Sequence, residues 1–412
     1  MADAITPAPA VRKPGFASRL ARAQVSASVA MTVRARELRA QGVDVIALTI
    51  GEPGFASPRH AIEAAYRAAL NGETKYPPQD GTKALKEAIQ RKFKRDAGLD
   101  FALDQIAVTN GGKQSIFNAL AATVDPGDEV VVPVPSWNAY VLMTKLLDGT
   151  PVEVACPQNN GFKPRAEDID AAITPRTKWL VLNNPNNPSG AACSAEELAA
   201  IAVVMRKHPH VWILSDDMYE HLVFDGFTHA TMAKVAPDLA DRVLTVSGVS
   251  KTYAMTGWRI GFAAGPAALI KAMVNMQGQV SAGVSMPGQA AAAAALDGPQ
   301  DSVAEQVEAY RRRRDLAVEM LNAAPGLVCH KPEGAFYVFP NMAGCLGKTT
   351  PAGRKIGTDG DFTLALLEEA HVATVPGTSY GMSPYFRIST ATDDAPLTEG
   401  LRRIVDFCSR LT

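Results

Sequence analysis

The chain has 412 residues, 47% of them hydrophobic and 20% charged, with a formal net charge of -1. That length and apolar content can fill a sizeable core and exceed one typical domain, so two domains, or one large domain with a smaller one, are expected. No basic excess invites nucleic acid, no segment reaches the ~18 uninterrupted apolar residues of a membrane span, and five cysteines without a CxxC pair argue against zinc and for a reducing compartment.

Residues 1–25 open with an Ala- and Pro-rich stretch that lacks the apolar run of a signal peptide, and read as a flexible lead-in to a soluble, cytoplasmic protein. Ser57 and Pro58 read as the N-cap and first residue of a helix through "AIEAAYRAAL", stopped by Asn71 and Gly72. "QIAVTN" reads as a buried strand, Gly111-Gly112 as a turn, and "KQSIFNALAATV" as the helix that leaves it. Further strands follow at "DEVVVPVP", "TKWLVLNN", "VWILSDD" and "RVLTVSG". Ser194 and Glu197 form a capping box on the helix between the second and third of these. "QAAAAAAL" reads as a packed helix, and Arg311 to Arg314 as a solvated helical face. Short apolar runs separated by helices predict an α/β fold with a mainly parallel sheet covered on both faces.

Gly111-Gly112-Lys113, Asn187, Asp216 with Tyr219, and Lys251 each lie at or just past the carboxyl end of a predicted strand, where open α/β sheets bind ligands. A Gly-Gly turn opening a helix offers free N–H groups and the positive end of the helix dipole to a phosphate. Asp216 after "VWIL" requires a cationic partner, which a core arginine could also be, and Asp217 should point the other way. Lys251 follows an apolar strand and Arg259 stands two helical turns further on. A lysine there is ordinarily a solvated charge; in a dry, cation-lined crevice its neutral amine attacks a carbonyl. Lysine for an aldehyde, arginine for a phosphate and a carboxylate for a ring nitrogen together describe pyridoxal 5'-phosphate.

The segment "SKTYAMTGWRIGF" resembles the lysine signature of the class I aminotransferases, and "NNPNNPSG", "SDDMYEHL", "GGKQ" and "YFRIS" resemble that family's other motifs in its usual order. The resemblance runs from about Ser26 to the C-terminus. It is closest to the bacterial aspartate aminotransferase branch, which includes aromatic and prephenate-accepting members.

The resemblance implies a fold type I transferase with a large domain at 58–311 and a small domain from 26–57 and 312–412. Lys251 would form the Schiff base and act as general base and acid for the proton shift. Asp216 would hold the ring nitrogen's proton, with Asn187 and Tyr219 on the phenolic oxygen. Arg259, Gly112 and Lys113 would hold the phosphate and Trp137 would stack on the ring. Arg387 would clamp the substrate α-carboxylate by a fork that lysine cannot reproduce, and the backbone of Gly51 would approach the same group. Tyr76 would reach the phosphate of a neighbouring subunit in a homodimer. Lys113, with Ser26 and Ser28, stands where this branch reads a side-chain carboxylate, which favours aspartate or glutamate as donor and a 2-oxo acid as acceptor.

Three departures from the family pattern bear on the substrate. Gly54 replaces an acidic residue, Ser136 replaces a tyrosine, and the segment 281–289 has fewer hydroxyls. The first two remove bulk and suggest a roomier pocket, so an aromatic or prephenate aminotransferase, or a same-fold enzyme that eliminates or cyclises, is the alternative. A cofactor-sensing transcription factor would need an N-terminal DNA-binding domain, for which the residues before Ser26 are too few. A purely structural role leaves Lys251, Asp216, Asn187 and Arg387 unexplained.

Overall fold

In the computed structural model, residues 15–22 and 27–412 are described. A seven-stranded sheet forms the centre, from β1 (Ile106–Thr109), β2 (Glu129–Val134), β3 (Thr150–Ala155), β4 (Thr177–Asn183), β5 (Trp212–Asp216) and β6 (Val243–Gly248) to β7 (Gly261–Ala264). Their order across the sheet is β1-β7-β6-β5-β4-β2-β3. Only β7 runs antiparallel to its neighbours. Successive residues alternate between two cores: Val130, Val132, Trp179 and Val181 pack on one face, Val131, Leu180 and Leu182 on the other. Helices Gly112–Ala121 and Ala267–Val280 cover the first face and Ala195–Lys207 the second. The α/β architecture expected from the runs is therefore the one observed.

Two strands escape the sequence pattern. β3 is a largely exposed edge strand with Pro151 in it, a residue that sheets tolerate at their edges. β7 is only Gly-Phe-Ala-Ala. Its Gly261 has a specific reason, because a Cβ there would stand 2.2 Å from the Gly112 amide nitrogen.

A second core unites both ends of the chain. Ile46 and Leu48 pack with residues from Ala317 to Leu411, and Ile46–Ala47 pairs in parallel with Val372–Ala373. The helix Asp301–Ala323 is continuous through 311/312 and serves both cores, with Val303 in the sheet-side core and Ala317 and Leu321 in the second. Arg311 and Arg312 are on its outer side, but Arg313 and Arg314 are buried. Arg313 pairs with Asp394 at 2.5 Å; Arg314 pairs with Asp225 at 2.8 Å and donates to the Pro332 carbonyl at 2.8 Å. The run is thus only half a solvated face, since helical geometry turns two of four consecutive residues inward.

The helix expected after Ser57 spans Arg59–Leu70 with Pro58 in the cap position. Ser57 does not cap it; its hydroxyl donates to the Ala254 carbonyl and accepts from the Trp258 indole, so it ties the N-terminal segment to the loop after Lys251. The Ser194–Glu197 capping box is present as read. Among the described residues no helix is long and apolar enough to cross a membrane.

Candidate active site

The carboxyl ends of β1, β4, β5 and β6 converge on a cavity of about 350 Å³. Gly51, Gly112, Lys113, Trp137, Asn187, Asp216, Tyr219, Lys251, Arg259 and Arg387 all line it. The in-register pair Asn183 with Asp216 sets the ends of β4 and β5 level, and the pair Asp216 with Val246 carries β6 two residues further. Side chains that leave them therefore meet in one crevice.

Lys251 follows β6 through a turn, and its Nζ donates to the Gly51 carbonyl at 2.6 Å. Burial first, then the Arg387 charge, pulls its ammonium down to about 8 from the ordinary 10.5. A free amine is thus accessible near neutrality. The stretch to Arg259 is not two turns of α-helix. It is a turn and a short 3-10 segment that ends with Arg259 in the left-handed region at φ 57°. That conformation brings the guanidinium back to the Gly-Gly turn, where a Cβ on Gly111 would stand 2.3 Å from Arg259 Nη2. Beside it, the helix Gly112–Ala121 opens into the cavity with uncapped N–H groups. Lys113 lies over the Trp137 ring at 4.9 Å, and burial followed by the Arg259 charge lowers its ammonium.

Asp216 is buried and accepts from the Tyr140 hydroxyl at 2.6 Å and the Met218 amide at 3.2 Å. Burial raises its carboxyl to about 6 against those two bonds. A cationic ring nitrogen is the kind of partner that would lower it again. Asp217 turns away, as the pleat requires, and accepts from Ser215 Oγ at 2.8 Å.

At the other end of the cavity the buried Arg387 donates to Asn187 Oδ1 at 3.0 Å and to the Thr49 carbonyl. Its Nε is buried without a partner. Its guanidinium stacks on Tyr337 at 4.6 Å and Tyr380 at 5.1 Å. An orphaned donor on a buried arginine facing a cavity suits a bidentate carboxylate.

The donor set as a whole fits an aldehyde that carries a phosphate at one end and a ring nitrogen at another. The Lys251 amine lies within reach of the charges of Arg387, of Arg259 in the phosphate-type cradle and of the buried Asp216 carboxylate. Two participants were not among the residues singled out from the sequence: Tyr140, which holds Asp216, and Tyr337, whose hydroxyl meets that of Tyr219 at 2.9 Å.

Other expectations fare differently. Ser26 lies outside the described residues, as does the side chain of Ser28 in the helix Ala27–Ala40. Tyr76 is 94% exposed and does not line this cavity. Neither Gly54 nor Ser136 is among the residues that line the cavity. Gly54 packs against the Ala391 carbonyl and the Asp393 carboxylate, and Ser136 borders a separate small cavity behind β2 and β4. The segment 281–289 also stays out of the lining; Ser281 instead lies against Asn110 and Gln114.

Comparison with known proteins agrees with this geometry. The chain is 52% identical over 404 residues to an aspartate aminotransferase of Rhizobium meliloti, covering 98% of both chains. It is 53% identical over 393 residues to an aspartate/prephenate aminotransferase of Cereibacter sphaeroides, covering 95% of this chain and 98% of the relative. The crystal structure of the Rhizobium meliloti aspartate aminotransferase superposes with a TM-score of 0.95 at 52% identity, over 97% of this chain and all of that one. The Thermus thermophilus aspartate aminotransferase with maleate superposes at 0.89 and 41% identity, over 96% of this chain and all of that one. The profile of the family described as aminotransferase class I and II matches residues 43–404. A lysine with a depressed amine, a buried strand-end carboxylate and an arginine with an open donor are what such an enzyme requires, and the chain belongs to the class I and II aminotransferases.

Proposed function

We propose that the protein is a pyridoxal 5'-phosphate-dependent aspartate aminotransferase. It moves the amino group of aspartate or glutamate to a 2-oxo acid such as oxaloacetate or 2-oxoglutarate, in two half-reactions. The observation that carries the reading is the depressed Lys251 amine in one cavity with Arg387 and the Lys113–Arg259 cradle. Bound pyridoxal phosphate supplies an electron sink for the charge left when the substrate Cα–H bond breaks.

The chain's own residues do the rest. The helix start at Gly112, Lys113 and Arg259 hold the phosphate, and Trp137 covers the ring. Asp216, braced by Tyr140, keeps a proton on the ring nitrogen. Tyr219 and Asn187 hydrogen-bond the phenolic oxygen. Arg387 holds the α-carboxylate beside the Gly51 backbone, which orients Cα toward Lys251. Lys251 Nζ would then take the Cα proton as general base and, as the conjugate acid, give it up again to complete the proton shift. Lys113, Ser26 and Ser28 read the side-chain carboxylate of a dicarboxylic donor. The relatives named aspartate aminotransferase support that choice.

In this reading the large domain is 58–311, the small domain is 26–57 with 312–412, and closure of the small domain excludes water. The enzyme acts in the cytoplasm as a homodimer. The exposed Tyr76 then serves the neighbouring subunit's phosphate, which accounts for an aromatic ring left in solvent.

Prephenate or aromatic amino acids are the second reading, favoured by the name of the Cereibacter sphaeroides relative. A half-reaction screen separates the two. The pyridoxal phosphate-loaded protein is mixed with single amino acids, and loss of the cofactor's visible absorbance is followed. Fastest conversion with aspartate and glutamate, and a Lys113→Ala variant that loses more on aspartate than on phenylalanine, is the expected result. Fastest conversion with aromatic donors or arogenate supports the second reading, and no conversion with any donor overturns both.

A further inference from the structure

We propose that Tyr337 is a positioning residue for this reaction, coupling the cofactor end of the site to the carboxylate end. The inference rests on the reading above that Tyr219 donates to the cofactor and Arg387 holds the substrate.

Register supplies the first argument. Tyr337 opens the short strand Tyr337–Val338 and pairs with Ser389 of the antiparallel strand Phe386–Ser389. Opposed residues share a face, as do residues two apart, so Tyr337 and Arg387 lie on one face as diagonal neighbours. The phenol ring accordingly seats the Arg387 guanidinium at 4.6 Å.

Hydrogen bonding supplies the second. Tyr337 is 2% exposed, and its hydroxyl lies 2.9 Å from that of Tyr219. Only one of the two O–H groups donates across that contact. When Tyr219 donates into the cavity, Tyr337 must be the donor to Tyr219, and a hydroxyl that accepts a bond becomes a stronger donor. Tyr337 thereby sharpens the bond that favours the deprotonated phenolic oxygen.

Packing supplies the third. A Cβ on residue 51 would stand 1.9 Å from the Tyr337 hydroxyl oxygen, so Gly51 leaves room for this phenol and for the Lys251 bond to its own carbonyl. One side chain therefore touches Tyr219, Arg387 and the glycine that Lys251 contacts.

Two variants of the loaded enzyme test this. Tyr337→Phe deletes the hydroxyl and keeps the ring. The pH titration of the cofactor's visible band should move up by about half a unit or more, as expected for one lost hydrogen bond. The Kd for maleate, an unreactive dicarboxylate, should change less than about twofold, because the ring still seats Arg387. Tyr337→Leu removes both, so the same titration shift should come with a Kd for maleate weakened by about fivefold or more. If Tyr337→Leu fails to fold, Tyr337→Met serves in its place with the same expected pattern.

A merely structural tyrosine would lower thermal stability and leave the titration where it was, and that outcome overturns the proposal. Maleate binding as tight without the ring as with it overturns the seat for Arg387. A wild-type protein that develops no pH-dependent visible band with pyridoxal phosphate overturns instead the reading on which the proposal rests.

Discussion

Lys251 is held where an ammonium is costly. Burial and then Arg387 depress it, and Arg259 adds to the repulsion, while Glu52 and Asp216 oppose them. Below pH 8 the lysine is charged in both the folded and unfolded chain, so the folded state bears the full cost. Between about 8 and 10.5 the folded protein releases the proton first, the unfolded chain binds more protons, and stability rises with pH. A cofactor-free Lys251→Met variant should therefore gain most over the cofactor-free wild type near pH 7, and that gain should shrink by up to about 3 kcal/mol by pH 10. Urea unfolding at the two pH values measures it, and a gain independent of pH would contradict the depressed amine. Tyr140 makes a second single-residue case. Its hydroxyl gives the side-chain hydrogen bond that lowers the Asp216 carboxyl, so Tyr140→Phe should raise that carboxyl further above about 6. The acid limb of kcat against pH should shift upward and kcat should fall by about tenfold, the effect of losing one bond to a charged group.

Elements decide which of these residues could be read in advance. Strand ends are legible because a run such as "VWIL" marks a buried strand, and polar residues at or just past its carboxyl end stand where open α/β sheets bind ligands. Asp216, Asn187, Lys251 and the Gly-Gly turn are found that way. Tyr140 and Tyr337 are not, because one lies on a helix and the other on a two-residue strand far along the chain. Their hydroxyls gain meaning only from tertiary neighbours, although a lone hydroxyl inside the apolar run "AFYVF" is a weak signal. Gly54 shows a different limit, since a residue adjacent to a motif need not itself line the cavity. A Cβ there would lie 3.0 Å from the Ala391 carbonyl oxygen and 3.3 Å from Asp393 Oδ1. Restoring the family's acidic residue with Gly54→Asp sets a second carboxylate against Asp393. It should cost about 1 kcal/mol in urea unfolding, while the ratio of aspartate to phenylalanine rates stays at its wild-type value. A shifted ratio would return Gly54 to the substrate site.

Across the whole molecule, helix layer, sheet and site are joined by a buried ion pair whose carboxylate is the chain neighbour of Tyr219. Lys92, on the helix Lys83–Ala97, is 1% exposed and places Nζ 2.5 Å from Glu220, just past β5. Glu220 in turn accepts from Ser247 Oγ on β6 at 2.6 Å and directly follows Tyr219 in the chain. Asp96, Glu220 and His221 bring three ligand-type groups together here. The Lys92 ammonium, also 3.8 Å from Asp96, supplies the positive charge they need. Burial pushes the Glu220 carboxyl up, but Lys92, His221 and His229 outweigh it and hold the group at about 2, below its ordinary 4.5. A depressed carboxyl contributes stability that is present above pH 4.5 and is lost as the pH falls toward 2. Lys92→Met keeps the length of the side chain and strands that carboxylate, so it should cost about 3–5 kcal/mol at pH 7. Because the stranded carboxyl can then be protonated more readily than in the wild type, the deficit should narrow as the pH is lowered toward 4. Adding Glu220→Gln, which removes the unpaired charge, should recover part of the loss at pH 7. A deficit that neither pH nor the second substitution changes would mean that Lys92 contributes packing alone, and that the layers are held together by their apolar faces without help from the pair.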